Sequence, residues 1–312
     1  MNRARLAGAG IGIGAGLTII YTLLISSADA ITKLIAGGYA APQLFAMSGL
    51  IVVVLCLVTN RLSRNPKGFS TSAPRAMAVR SGATVLAAVS FFYAFRYLPF
   101  AEVFVFIGLM PILAGLMSAL ILREHVRPVA WGALVAGFTG VLFLFPEGLA
   151  AVKLGHLWAL SAAVFGTLSM VMARYIGRFE SNALAQVLYP NLAIFATMVV
   201  ALPFVWKPMP MGDLMWVVAY AALLFGARWL LVVALRLLAA YAVTPLLNLQ
   251  FVWMVVLGGV FFGEYPASGT YLGVGIVIAT GLFLVWDQFA TRPVRWITPR
   301  RTMLSKNIKV GM

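Results

Sequence analysis

Gly226-Ala-Arg-Trp-Leu-Leu-Val-Val-Ala-Leu-Arg-Leu-Leu238 sets an arginine, Arg228, deep in an apolar run; a short joint follows, then a second apolar run that ends on an acid at Phe262-Gly-Glu264. Most of this pattern occurs once before, from Phe91-Phe-Tyr-Ala-Phe-Arg-Tyr-Leu98 to Ile121-Leu-Arg-Glu124. Arg96 and Arg236 stand 140 positions apart, and so do Glu124 and Glu264. One further position superposes Gly132 on Gly273 and Gly140-Val-Leu142 on Gly281-Leu-Phe283. A chain that repeats itself at about half its length is two copies of one unit.

Composition fixes the environment of those copies. Of the 312 residues 62% are hydrophobic and 10% charged, against about 25% charged in a soluble domain. Mean hydropathy is +0.99. Apolar runs of about 20 residues recur along the chain, the length that crosses about 30 Å of hydrocarbon. The expected class is an all-α integral membrane protein. The lone Cys56 lies in the apolar run Val54-Leu-Cys-Leu-Val58 and reads as a small apolar filler. His125 and His156 fall at loop or helix-edge positions, so no metal-ligand cluster can be assembled and no cofactor is expected. Asn2-Arg-Ala-Arg5, an apolar run and Ser27-Ala-Asp-Ala30 imitate a signal peptide. A retained first helix is expected instead, because the run is long, Asp29 sits inside the supposed cleavage site, and the second copy has an equivalent helix.

Ten transmembrane helices are predicted, at 8–32, 41–59, 78–97, 99–121, 128–146, 155–174, 183–205, 213–236, 240–262 and 268–287. Five helices per copy is an odd number, so the second copy enters the membrane in the opposite sense. The result is two inverted five-helix repeats, 1–147 and 148–287, followed by a basic tail, 288–312. Placing both termini in the cytoplasm puts eighteen of the 23 Lys and Arg inside, Arg80 and Arg236 among them. Only Lys33, Arg96, Lys153 and Lys207 fall outside. The net charge of +15 is then a matter of topology, spread over short loops rather than gathered on a face for nucleic acid. Membrane lipid is the expected surrounding, in a bacterial-type inner membrane; a homodimer is left open.

Several residues stand out against this apolar background. Gly8, Gly10, Gly12, Gly14 and Gly16 crowd the first helix without the preceding strand a phosphate loop needs, and read as a surface for close helix approach. Gly132, Gly140, Gly259 and Gly263 invite the same account. Arg228 lies far from either end of its span, where an arginine costs at least about 2.5–3.5 kcal/mol, and such residues usually face a cavity. The alternative is a structural ion pair with Glu102 or Asp29. Its neighbour Trp229 can stack on a planar solute or pack against helices. Asp29 and Lys33 stand four apart on one helical face and read as a structural pair or as a gate or coupling site. Glu102 opens the fourth helix as a proton site or an interfacial acid. Asn248 and Gln250 interrupt the ninth helix beside Pro245, which frees a carbonyl, and are expected to line a cavity. Pro111 stands opposite Phe251, so the two copies are expected to break their helices at different heights. Tyr93, Tyr189 and Asn191 are further candidates of this kind.

Phe95-Arg-Tyr-Leu-Pro-Phe-Ala101 with Leu122-Arg-Glu124, and Ala234-Leu-Arg-Leu-Leu-Ala-Ala-Tyr241 with Phe262-Gly-Glu-Tyr-Pro266, resemble the paired repeats of EamA-type proteins of the drug/metabolite transporter (DMT) superfamily. The likeness covers about residues 15–287. It implies a basket of ten helices around a central cavity, lined chiefly by the first, third, fourth, sixth, eighth and ninth, with the three-four and eight-nine hairpins as gates. On that scheme Arg228, Trp229, Asn248 and Gln250 line the cavity from one half, and Asp29, Lys33 and Tyr93 from the other. Related members move amino acids, riboflavin, S-adenosylmethionine and other small metabolites. Asp29-Ala-Ile-Thr-Lys33 followed by Pro42-Gln43 resembles the riboflavin and S-adenosylmethionine branch, although Ser48 stands where that branch often has an arginine.

The function expected is that of a secondary transporter working by alternating access on an anionic or zwitterionic metabolite such as an amino acid. A vitamin or cofactor carrier and a translocase of lipid-linked intermediates are the alternatives. A membrane-embedded acyltransferase would need a nucleophile and a base within reach of each other, which Cys56, His125 and His156 do not offer.

Overall fold

The computed structural model describes residues 2–63, 68–124, 154–238 and 249–264, with isolated positions between 128 and 139 and at 243, 246, 247, 279 and 283; among them there is helix and no strand. The helices are α1 (Asn2–Ala36), α2 (Ala41–Leu62), α3 (Pro74–Tyr97), α4 (Phe100–Ile107), α5 (Met110–Leu122), α6 (Leu154–Gly177), α7 (Ala183–Val205), α8 (Met211–Leu237) and α9 (Gln250–Leu257). A π-helical turn, Gly258–Phe262, extends α9. Six of them, α1 from Gly12 onward, α2, α3, α6, α7 and α8, are long and apolar enough to cross a membrane; α5 and α9 with its extension are shorter apolar helices. These bounds match the predicted spans to within a few residues at most ends. The predicted fifth and tenth spans, the start of the ninth and the basic tail lie largely or wholly outside the described residues.

Local chemistry explains the helix ends. Pro42, Pro74 and Pro111 sit in the first turns of α2, α3 and α5, where a missing N–H forfeits no helical hydrogen bond. Asn182 caps α7 by accepting from the Ala185 N–H at 3.2 Å.

The predicted fourth span is two helices, not one. The chain makes a turn at Gly108–Leu109, with Leu109 N–H donating to Phe106 O at 3.1 Å. The Leu249 N–H donates to Leu246 O at 3.1 Å, in the equivalent place 140 positions on. The copies therefore break at the same register, not at different heights as Pro111 and Phe251 suggested. A three-residue hydrogen bond tightens both chains whether or not a proline follows.

The agreement extends to both sides of this turn. Leu98 and Leu238 cap α3 and α8 with N–H bonds to Ala94 O and Ala234 O, both with extended backbone. Glu124 and Glu264 donate their N–H groups to Ser118 O and Gly258 O at 3.2 and 3.0 Å. The residues before these acids are left-handed, Arg123 at φ 52° and Gly263 at φ 64°. Gly263 has open space around its α-carbon, so it serves this turn rather than a close helix approach.

Close approach does occur at two glycines related in the same way. A β-carbon on Gly14 would meet Leu238 Cγ at 2.9 Å, and one on Gly155 would meet Leu98 Cγ at 2.7 Å. These contacts seat α1 and α6 on the joints that follow α8 and α3. Gly155→Val should therefore force the Leu98 joint outward at a cost of about 1–3 kcal/mol, read as a lower melting temperature in detergent. An unchanged melting temperature would show that the joint yields freely.

Packing follows the same scheme, with α1 along α8, α3 along α6 and α2 along α7. Tyr39, just past α1, donates to Asp213 at the start of α8 at 2.5 Å, and Lys207 Nζ reaches Gly38 O at 3.1 Å. The hydrogen bond to Asp213 raises the Tyr39 phenol pKa above its ordinary value. Near the end of α6, Arg174 donates to Leu235 O and Leu238 O at the far end of α8. The C-terminal ends of α1 and α6 thus lie at opposite ends of the bundle, called here the Lys33 end and the Glu124 end.

Candidate functional site

Three helices present stripes at helical spacing toward one cavity: Tyr21, Ile25, Asp29 and Thr32 on α1; Arg80, Thr84, Ala87, Ala88, Phe91 and Phe95 on α3; Tyr220, Leu224, Arg228 and Leu231 on α8. The cavity measures about 170 Å³ and is completed by Phe45, Ile107, Met110, Gly166, Ser169, Met170, Ala173, Pro190, Leu247 and Gln250. Aromatic rings supply much of the apolar wall. Across it, Thr84 Oγ1 and Ser169 Oγ lie 2.7 Å apart and tie α3 to α6.

The charged residues among these are Asp29, Arg80 and Arg228. Arg228 donates from Nη1 to Asn191 Oδ1 at 2.9 Å. Asn191 is fully buried, and its Nδ2 is held by Val187 O at 2.7 Å, which aims the Oδ1 at the guanidinium. Arg80, only 6% exposed, donates from Nη1 to Oε1 of the fully buried Gln186. Both guanidinia are therefore positioned by neutral amides of α7, and neither forms an ion pair among the described residues. An amide fixes a guanidinium without cancelling its charge, so both arginines keep that charge for another partner. Asp29 is half-buried and likewise has no hydrogen-bond or ion-pair partner among the described residues.

The residues singled out in the sequence are thus divided. Arg228, Gln250 and Asp29 line the cavity. Trp229 does not; it packs edge-on against Phe225, beside Val52 and Cys56. Tyr93 also faces away, stacked on Trp158 and Tyr97 with centroids 5.1 and 6.2 Å apart. Tyr189 bonds to Phe69 O at 2.8 Å. Asn248 and the Glu102 side chain lie outside the described residues. Lys33 makes no pair with Asp29; its Nζ meets Glu264 Oε1 at 2.5 Å. Asn191, named among the further candidates, proves to be the residue that holds Arg228.

Arg80 was missed as a site residue, because the count of inward positive charges assigned it to a loop edge. Stepping back along α3 from Phe95 through Phe91, Ala87 or Ala88 and Thr84 reaches Arg80 on the same face, and that periodicity was the available signal.

Ion pairs tie both ends of the bundle. At one, Lys33 of α1 meets Glu264 and lies over the Phe262 ring at 5.2 Å. At the other, Arg174 Nε and Arg178 Nη2, from the end of α6, reach Glu124 Oε1 at 2.9 and 2.7 Å. Each acid terminates the second helix of its hairpin, and Lys33 and Arg174 are 141 positions apart.

A family model described as the EamA-like transporter family matches residues 12–145. A riboflavin transporter of Vibrio cholerae is 26% identical over 188 residues, 59% of this chain and 62% of that protein, so the match spans under two thirds of its length. A riboflavin transporter of Rhizobium johnstonii is 27% identical over 218 residues, 68% of each chain. An uncharacterized transporter of Sinorhizobium sp. is 33% identical over 132 residues, 41% of this chain and 93% of that protein. A solved crystal structure superposes with a TM-score of 0.70 at 18% identity, covering 88% of this chain and 97% of the other, a likeness of fold.

Proposed function

Because the chain belongs to the EamA-like transporter family, and is a multi-pass membrane transporter rather than an enzyme, we propose that it moves a small anionic or zwitterionic metabolite across the membrane by alternating access. The observation that carries this reading is Arg228, set in the cavity wall with an amide, Asn191, as its described side-chain partner. A half-buried guanidinium at membrane depth kept without a carboxylate is costly, and a solute carboxylate or phosphate supplies the missing charge. Asp29 takes a cationic group of the solute or a proton. Gln250 offers orienting hydrogen bonds, while Phe45, Phe91, Phe95 and Tyr220 cover the apolar body of the solute.

We read the architecture as two inverted five-helix repeats, 1–147 and 148–287, with both termini and the Glu124 end in the cytoplasm. Support comes from the matched turns at Leu109 and Leu249, the matched caps at Glu124 and Glu264, and the opposed ends of α1 and α6. The hairpins α3–α5 and α8–α9 are the gates, and the Lys33–Glu264 and Glu124–Arg174 pairs hold them shut.

The test is ligand-induced thermal stabilisation of the purified protein and of Arg228→Gln, with uptake into vesicles as a second readout. Anionic or zwitterionic metabolites, amino acids included, should stabilise the wild type, and the variant should need at least about tenfold more ligand. A variant that responds like the wild type would make Arg228 structural.

A second reading is a flavin carrier. It is favoured by the aromatic wall and by the two relatives named riboflavin transporters. Stabilisation by riboflavin, retained in Arg228→Gln, would select it.

A further inference from the structure

We infer that Arg80 is a second anion-binding residue, and that the transported solute carries a phosphate or carboxylate seated between Arg80 and Arg228, so that its transported form bears net negative charge. The inference rests on the transporter reading above and narrows its solute class.

Four features support it. First, Arg80 lines the cavity, is 6% exposed, and has an Nε without a hydrogen-bond partner. Second, its partner Gln186 is fully buried and also leaves its Nε2 unpartnered, so two N–H donors await an acceptor at one place. Buried donors without acceptors are rare, and a cavity-lining guanidinium with a spare N–H beside an amide that also has one suits an oxyanion with several lone pairs. Third, the described lining carries two guanidinia and one carboxylate. A neutral solute leaves that surplus positive charge uncompensated; a solute of net charge about −1 cancels it. Fourth, Glu180 is the carboxylate within electrostatic reach of Arg80, yet its Oε2 accepts from Ser72 N and Oγ at 2.8 and 3.2 Å. It forms no ion pair with Arg80 among the described residues.

The donors continue toward the Glu124 end. Arg236, two turns beyond Arg228 on α8, leaves Nε and Nη2 buried and unpartnered, and its charge reaches Arg80. Asp29 lies toward the Lys33 end from Arg228, so an anionic solute that also carries a cationic group orients with its acid toward Arg80.

The experiment uses the full-length protein in detergent, with inorganic phosphate and the matched pair riboflavin and riboflavin 5′-phosphate as probes. Variants are Arg80→Gln, Arg80→Lys, Arg228→Gln and Gln186→Glu. The last places a carboxylate on Arg80 and keeps a partner for it, so it reports on the site if Arg80→Gln folds poorly. Both phosphates should stabilise the wild type, and riboflavin 5′-phosphate should exceed riboflavin. Arg80→Gln and Gln186→Glu should weaken the phosphate responses by about tenfold or more while leaving the riboflavin response within about twofold. Arg80→Lys should recover part of the loss, because an ammonium keeps the charge without the fork.

Wild-type phosphate responses in both Arg80→Gln and Gln186→Glu would overturn the proposal. If Arg228→Gln still lost its response, the general transporter reading would stand without it. A wild type that answers riboflavin but neither phosphate would also overturn it, in favour of the neutral flavin carrier. A response to phosphatidylglycerol that equals or exceeds the soluble phosphates would assign the donors to a lipid headgroup, and so overturn the solute assignment.

Discussion

Glu124→Ala is expected to lower the stability of the folded protein by about 2–3 kcal/mol, the largest effect of any single substitution at the Glu124 end. One carboxylate oxygen there accepts from both Arg174 and Arg178. Glu124 and Arg174 are 16% and 20% exposed, so most of the attraction between them is not screened by water. Arg178 is 36% exposed, and its pair contributes little. The loss comes chiefly from what the variant leaves behind. Arg174 stays pinned by Leu235 O and Leu238 O, and Arg178 by Leu122 O at 2.8 Å, so the two cations remain close without a counter-ion. Glu124→Gln keeps the shape and one acceptor and should fall about halfway. Thermal unfolding in detergent measures both. If Glu124→Ala melts with the wild type, the pairs are surface ornament and the Glu124 end is held by apolar packing alone.

The pattern at Glu124 also shows how much of the molecule was legible beforehand. The offset of 140 between the arginine-to-acid stretches was read from letters alone, and it maps turn onto turn and cap onto cap. Six long helices were legible because apolar length is a strong signal. The break at Gly108–Leu109 was not, because a single glycine inside an apolar run is common in membrane helices and does not by itself mark a turn. Proline was given too much weight there: Phe251 occupies the place of Pro111, and the turn forms all the same.

At the site, helical phase rather than residue type separates the cavity-facing positions from their neighbours. Trp229 follows Arg228 by one residue, a rotation of about 100°, and so cannot share its face. Tyr93 falls between Phe91 and Phe95, which point into the cavity, and so points out of it. Arg80 was hidden by a rule that counts positive charges near helix ends without asking which way they face. The partners of the arginines were beyond reach of the sequence, since Gln186 and Asn191 lie on a helix paired to α3 and α8 only by folding.

Lys33→Glu should reduce vesicle transport by at least about tenfold, and the swap Lys33→Glu with Glu264→Lys should recover most of the loss. Lys33 Nζ and Glu264 Oε1 stand 2.5 Å apart, so the single variant sets two carboxylates against each other at this end of the bundle. Like charges at that range cannot settle together, and the hairpin end of α9 is driven away from α1. The swap restores attraction with the charges exchanged, which a lysine acting independently of Glu264 would not permit. Among the described residues the Lys33 end is tied by the Lys33–Glu264 pair, the contact of Lys33 with the Phe262 ring, and the Tyr39–Asp213 and Lys207–Gly38 hydrogen bonds. Among the described residues the Glu124 end is tied by the pairs of Arg174 and Arg178 with Glu124 and by arginine bonds to Leu122, Leu235 and Leu238 carbonyl oxygens. Thr32→Cys in a Cys56→Ser background puts a thiol on the cavity wall near the Lys33 end. Its labelling by a bulky polar maleimide should quicken in Lys33→Glu and return toward the parent rate in the swap. Labelling and transport that stay as poor in the swap as in either single variant would show that Lys33 and Glu264 do not act as a pair, and the gate would have to be sought elsewhere.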